Sequence, residues 1–167
     1  DAVTLSPFMG HDSVTPYLKY KDKGVFLLCR TSNPGGDDLQ NQRLMDESGT
    51  PRLFEHVAQL AEGAWLDGGP TGQIGLVVGA TYPDEIRRVR ALAPTAPLLI
   101  PGVGAQGGDA VATIQAGATT DGLVIVNSSR AVIYASKGVD FAKAAKHVAT
   151  ETRDTLNAAR DLKSDRS

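Results

Sequence analysis

Little in this sequence points to a disulfide, a membrane span or a polyanion-binding surface. Cys29 is the single cysteine among 167 residues, so no disulfide can form within the chain. No stretch approaches the roughly 20 consecutive apolar residues of a transmembrane helix. Lysine and arginine are scattered and the formal net charge is -2, whereas nucleic acids and anionic membranes require clustered positive charge. We therefore expect a cytoplasmic protein with a small-molecule partner, no nucleic acid and no membrane.

Several catalytic signatures are missing as well. The chain has no Gly-x-Ser-x-Gly nucleophile elbow, no Walker loop and no dinucleotide-binding fingerprint. His56 and His147 fall within predicted helices without a second ligand at metal spacing, so structural or solvated roles are expected. His11 follows a predicted strand, and two roles stay open for it: it lines a pocket, or it serves as a cap or loop residue. No metal site is expected.

Short apolar runs alternate with longer amphipathic segments, which is typical of βα units and a parallel sheet. We predict strands at 2–5, 25–29, 74–78, 97–100 and 122–126, and helices at 13–21, 52–64, 83–92, 109–116 and 139–162. Asp12 or Ser13 is expected to cap the first helix and Asp109 the fourth. Cys29 lies in an apolar run, which favours a packing role over a reactive thiol.

A glycine-rich segment at 101–108 and a polar segment at 127–130 follow the last two predicted strands. Glycine allows the backbone to approach a ligand closely, so the first segment is expected to aim bare N–H groups at an anion. Arg130 in the second segment offers a bidentate contact to phosphate. Because loops after the last strands of a (β/α)₈ barrel commonly bind phosphate, the pair predicts a phosphate site. An ordinary turn followed by a surface arginine is the alternative.

Other polar groups stand near these segments. Gln106, within the first segment, offers both a donor and an acceptor, while Ser32 and Asn33 follow an earlier strand. Such groups suit the edge of a heterocycle. For residues 31–36, a simple tight turn at Pro34 is the alternative interpretation.

In this order, the motifs resemble orotidine 5′-phosphate decarboxylase, particularly the longer bacterial branch of that family. The matching segments are DAVT at 1–4, PFMGHDS at 7–13, LCRTSNPG at 28–35, GLVVGAT at 75–81, LIPGVGAQGGD at 99–109 and NSSR at 127–130. The resemblance covers nearly the whole chain. It implies an α/β fold, part of a (β/α)₈ TIM barrel containing strands four to eight with their helices.

The resemblance also implies a substrate site. Ser32 would hydrogen-bond the pyrimidine of orotidine 5′-phosphate, and Gln106 would bridge towards its phosphate. Arg130 and the backbone at Ser129 would hold the phosphate. Apolar surface near the base would come from two further residues, Pro101 and Val103. The family removes carbon dioxide to give uridine 5′-phosphate (UMP) in pyrimidine biosynthesis, and it needs no metal or organic cofactor.

One family motif has no counterpart. An Asp-x-Lys-x-x-Asp motif carries the family's chemistry, and the only similar spacing, Asp-x-Lys-x-Asp at 161–165, lies in the charged tail. We expect residues 1–167 to be the C-terminal part of one barrel domain, without a catalytic residue and inactive alone. Its partners would be the missing N-terminal barrel segment and, when complete, a second copy in a homodimer. An uncovered edge at strand 2–5 predicts poor folding in isolation.

Two other functions stay open. Another ribose-phosphate barrel, such as an epimerase or an aldolase-like enzyme, could share the phosphate loops alone, and it would lack selectivity for a pyrimidine base. A non-catalytic phosphate-binding module is the third hypothesis, which a native polypeptide of 17.5 kDa would favour.

Overall fold

The computed structural model describes residues 1–45, 49–66, 68–104, 107–121 and 123–164. Its strands are β1 (Ala2–Leu5), β2 (Gly24–Arg30), β3 (Ile74–Val78), β4 (Leu98–Pro101) and β5 (Val124–Asn127). Its α-helices are α1 (His11–Leu18), α2 (Leu53–Glu62), α3 (Pro83–Leu92), α4 (Ala110–Gly117), α5 (Ser129–Ile133) and α6 (Phe141–Ser164). Short 3₁₀ turns follow β1 at Pro7–Met9 and β2 at Pro34–Asp38.

The strands form one parallel sheet whose spatial order, β1-β2-β3-β4-β5, is also their order along the chain. Consecutive parallel strands separated by helices make the wall of an α/β barrel. The main core lies between the sheet and the helices, where Leu27, Leu76, Ile86 and Leu98 are fully buried. A second, smaller core lies at the β5 edge of the sheet, where Ala159 of α6 packs with Ile114 of α4.

The opposite face of the sheet carries a row of apolar side chains in register. Leu28 pairs with Val77, Val77 with Leu99, and Leu99 with Ile125. Leu28 and Ile125 are 39% and 51% exposed. In a closed barrel this face points to the interior, where such side chains stack in layers.

Most of the predicted elements are present with shifted ends, and β1, β3 and α3 have the predicted bounds. Asp109 caps α4 by accepting a hydrogen bond from the Ala112 N–H at 2.7 Å, as expected. The predicted cap of α1 is wrong. The N-cap residue is Gly10, whose φ of 91° suits glycine, and the helix therefore begins at His11.

No helix within the described residues has the length and apolar character needed to cross a membrane.

Candidate functional site

The two polar segments predicted to bind phosphate lie side by side at the carboxyl end of the sheet. Pro101 pairs in register with Asn127 at the ends of β4 and β5. The Ser128 hydroxyl donates to the Val103 carbonyl over 3.2 Å, which ties one segment to the other. Together they line a small cleft of about 80 Å³ bounded by Pro101, Gly102, Val103, Asn127, Ser128, Ser129 and Arg130. Four of the sequence-predicted site residues therefore share one cleft.

Glycines shape the first segment in a way that differs from the expectation. Gly102, Gly104 and Gly107 have φ values of 98°, 77° and 85°, which side chains disfavour. The N–H groups of Gly104, Gly107 and Gly108 donate to carbonyl oxygens inside the segment, at 3.1, 2.8 and 3.2 Å. The expectation of bare N–H groups is wrong at these three positions, because the turn uses them. Gln106 lies outside the described residues.

The second segment leaves a cation uncommitted. Arg130 stands in the first turn of α5, is exposed, and its guanidinium makes no ion pair or hydrogen bond with another described residue. Beside it, Asn127 Nδ2 donates to Ser129 Oγ at 3.4 Å. An unpaired arginine at the rim of a small polar cleft can form charge-assisted hydrogen bonds with an anion. The cleft therefore suits a phosphate group.

Ser32 belongs to the same end of the sheet but not to the same cleft. It is half-buried after β2 and rests on Gly79, where an added β-carbon would lie 2.7 Å from Ser32 Cβ. Three strand spacings of about 4.8 Å separate the ends of β2 and β5, so these two strand ends lie roughly 14 Å apart along the sheet. Such an arrangement suits an elongated ligand with a phosphate at one end.

Sequence reasoning missed Arg30, which is 1% exposed at the end of β2. The pairing of β2 with β3 shifts between Leu28 and Arg30, so that Arg30, not Cys29, lies opposite Val78. This bulge turns Arg30 towards the helices, where its Nε donates to Glu85 Oε2 of α3 at 2.5 Å. Burial alone would lower the pKa of Arg30, but Glu85 and Asp37 raise it above its usual value. The side chain stays charged.

A larger cleft of about 480 Å³ lies on the outer side of the sheet, between the first turns of α2 and α3. Its charges compensate one another, since Arg88 pairs with Glu55 at 2.6 Å and Arg52 lies 3.8 Å from Glu85. Burial raises the pKa of Glu55, but hydrogen bonds from the Arg52 N–H and Arg88 bring it below its usual value. Among the described residues, Arg88 and Arg52 are therefore already paired with carboxylates, unlike Arg130.

The remaining candidates for chemistry have structural contacts. Cys29 is buried, and its thiol donates to the Phe54 carbonyl at 3.2 Å. Burial raises the pKa of the thiol well above its usual range, which fits the predicted packing role.

The histidines also have structural contacts. The ring of His11 stacks on Trp65 with 5.5 Å between centroids. His147 is exposed on α6, 3.4 Å from Glu151. Within the described ranges, no group of three or more His, Cys, Asp or Glu residues is placed to hold a metal.

The sheet and its flanking helices make this chain part of an α/β barrel. Residues 1–146 match the model of the orotidine 5′-phosphate decarboxylase / HUMPS family, and the chain belongs to that family. It is 70% identical over 160 residues to orotidine 5′-phosphate decarboxylase of Polaromonas naphthalenivorans, and 67% identical over 165 residues to that of Methylibium petroleiphilum. These matches cover 96% of this chain but 56% and 58% of the relatives.

Solved structures agree with this assignment. OMP decarboxylase of Leishmania donovani has a TM-score of 0.74 and 42% identity, covering 93% of this chain and 57% of that one. UMP synthase of the same organism has a TM-score of 0.75 and 44% identity, covering 93% of this chain and 33% of the other. The chain therefore spans little more than half the length of its decarboxylase relatives.

Proposed function

We propose that this chain is the substrate-holding part of an orotidine 5′-phosphate decarboxylase, contributing strands four to eight of its barrel. The observation that carries the proposal is the cleft beside Arg130, which joins the ends of β4 and β5. Arg130 and the Ser129 backbone bind the phosphate. Pro101 and Val103 give apolar surface beside the base, Ser32 hydrogen-bonds the pyrimidine, and Gln106 bridges towards the phosphate.

In this proposal the chain supplies binding energy and the rest of the barrel supplies the chemistry. Contacts to a phosphate remote from the reacting carbon can be used to orient the base and stabilise the transition state. They cannot protonate the carbanion that loss of carbon dioxide leaves on the ring, a step that needs a positioned general acid. Residues 1–167 contain no Asp-x-Lys-x-x-Asp motif, so the chain alone does not turn over substrate.

The complete enzyme works in the cytoplasm as a homodimer without a metal or organic cofactor. The N-terminal barrel strands cover the interior row formed by Leu28, Val77, Leu99 and Ile125. They also cover the outer cleft of about 320 Å³ where Val3 lies beside Tyr17 and Tyr20.

Ligand selectivity tests the proposed site. The chain is fused behind the N-terminal barrel segment of the Polaromonas naphthalenivorans relative, and calorimetry measures the affinities for UMP, uridine and ribose 5-phosphate. UMP should bind much more tightly than either fragment, because only UMP engages Arg130 and Ser32 together. Equal affinity for UMP and ribose 5-phosphate would instead favour another ribose-phosphate barrel. Inorganic phosphate is measured in the same way, and its binding without any binding of UMP would favour a non-catalytic module.

A further inference from the structure

A buried arginine lies directly under the loop that carries Ser32. All three nitrogens of the Arg30 guanidinium are used. Besides the bond from Nε to Glu85, Nη2 donates to Asp37 Oδ1 at 2.6 Å, and Nη1 donates to Gln40 Oε1 at 3.2 Å. The Tyr82 ring covers the group, with 4.6 Å from Arg30 Cζ to the ring centroid. Arg30 therefore links the first turn of α3 to the C-terminal end of the 3₁₀ turn that follows Ser32 and to Gln40 just beyond it.

The loop closes tightly around this guanidinium. A β-carbon at Gly36 would lie 3.0 Å from Arg30 Nη1 and 3.1 Å from Thr31 Oγ1, so this position has little room for a side chain. The Gln40 oxygen that accepts from Arg30 also accepts from the Thr31 N–H at 2.9 Å. Because Thr31 precedes Ser32, the backbone leading into Ser32 is held by the same partner as the arginine.

Gly79, the residue that follows β3, also holds this loop in place. The Gly79 N–H donates to the Arg30 carbonyl at 2.7 Å, and Gly79 itself lies against Ser32. Backbone and side chain of Arg30 thus fix the chain before Ser32 and the turn after it. A surface loop without such contacts would sample many positions, and ordering it on binding would cost affinity.

We propose that Arg30 is a positioning residue that pre-organises Ser32 for the pyrimidine through its contacts with Asp37, Gln40 and Glu85, an inference that rests on the proposed function. Arg30 has no role in binding the phosphate, since Arg130 follows β5, three strands away from β2. Arg30 acts on the base end of the ligand alone.

Asp37→Asn in the fused barrel tests this with little risk to folding, because the Asp37 side chain is 54% exposed. The matched control is Asp38→Asn, the neighbouring carboxylate of the same turn, which makes no ion pair with Arg30. Asp37→Asn should raise the dissociation constant of UMP about three- to tenfold, the effect of weakening one charge-assisted hydrogen bond. The dissociation constant of ribose 5-phosphate should not change, and Asp38→Asn should match the parent.

A double-mutant cycle with Ser32→Ala separates positioning from general loosening of the fold. If Arg30 acts through Ser32, Asp37→Asn should cost nothing further in the Ser32→Ala background. Additive losses, equal losses for UMP and ribose 5-phosphate, or an unchanged UMP affinity would each overturn the inference. A parent fusion that does not prefer UMP to ribose 5-phosphate would instead refute the proposed function itself, so the two failures are distinguishable.

Discussion

Gly79 lies so close to Ser32 that a β-carbon there would be 2.7 Å from Ser32 Cβ and 2.8 Å from its backbone nitrogen. The end of β3 therefore sets the position of the residue proposed to bind the pyrimidine. This contact joins two strand ends that are more than forty residues apart in the chain.

Gly79→Ala in the fused barrel should displace Ser32 and weaken UMP binding more than ribose 5-phosphate binding. Overpacking of this kind costs about 1 to 3 kcal/mol. Gly24→Ala is the matched control, since its nearest neighbours would be 3.5 and 3.8 Å away, at ordinary contact. Calorimetry with both ligands checks the prediction, and a Gly79→Ala variant that binds UMP like the parent would contradict it.

Arg130→Ala should remove a charge-assisted contact to the phosphate. The expected loss of transition-state stabilisation is about 1.5 to 3 kcal/mol, or roughly 10- to 150-fold in kcat/KM. Uridine, which has no phosphate, should bind the variant and the parent equally. The control is Arg160→Ala, which removes an exposed arginine of a different helix, α6, and should leave kcat/KM unchanged. Equal kcat/KM for Arg130→Ala and the parent would remove Arg130 from the site.

Arg90 should matter for stability and not for binding. It donates to five backbone carbonyls at the amino end of the sheet, those of Ala93, Pro94, Ala96, Gly117 and Leu123. Arg90→Ala removes the hydrogen-bond donor of these carbonyls. The free energy of unfolding, measured in urea, should fall by about 3 kcal/mol or more. Arg87→Ala, on the exposed side of α3, should cost little. A drop in UMP affinity at a temperature where Arg90→Ala is folded would contradict this separation.

Cys29 should make stability depend on alkaline pH. Burial raises the pKa of its thiol in the folded state above the ordinary value of 9.0, so above that pH the thiol ionises only in the unfolded chain. Unfolding then releases a proton, and stability should fall by about 1.4 kcal/mol per pH unit relative to Cys29→Ala. Urea unfolding of both proteins from pH 8 to 11 measures the difference. Parallel stability curves would show that the thiol is not buried.

Sequence reasoning succeeded where local patterns decide the structure. β3 is five apolar residues, all buried, and α3 begins at Pro83 with Asp84 and Glu85 in its first turn, a strong start signal. The proximity of segments 101–108 and 127–130 also followed from a general rule, because parallel strands end at one edge of the sheet.

It failed where pairing between distant segments decides the outcome. The bulge at Cys29 appears only when β2 is aligned with β3, so nothing local indicates that Arg30 turns towards Glu85. The hydrogen bonds inside segment 101–108 likewise depend on its closed turn. The roles of the proposed site residues, Gln106 among them, stay predictions.

Turnover tests the central claim most directly. The chain is fused to the N-terminal barrel segment of the Polaromonas naphthalenivorans relative and mixed with orotidine 5′-phosphate. The decrease in the absorbance of orotidine 5′-phosphate is then followed. The fusion should convert it to UMP and carbon dioxide, while residues 1–167 alone should not. A fusion that unfolds cooperatively, yet leaves the substrate intact under conditions in which the complete relative consumes it, would contradict the claim.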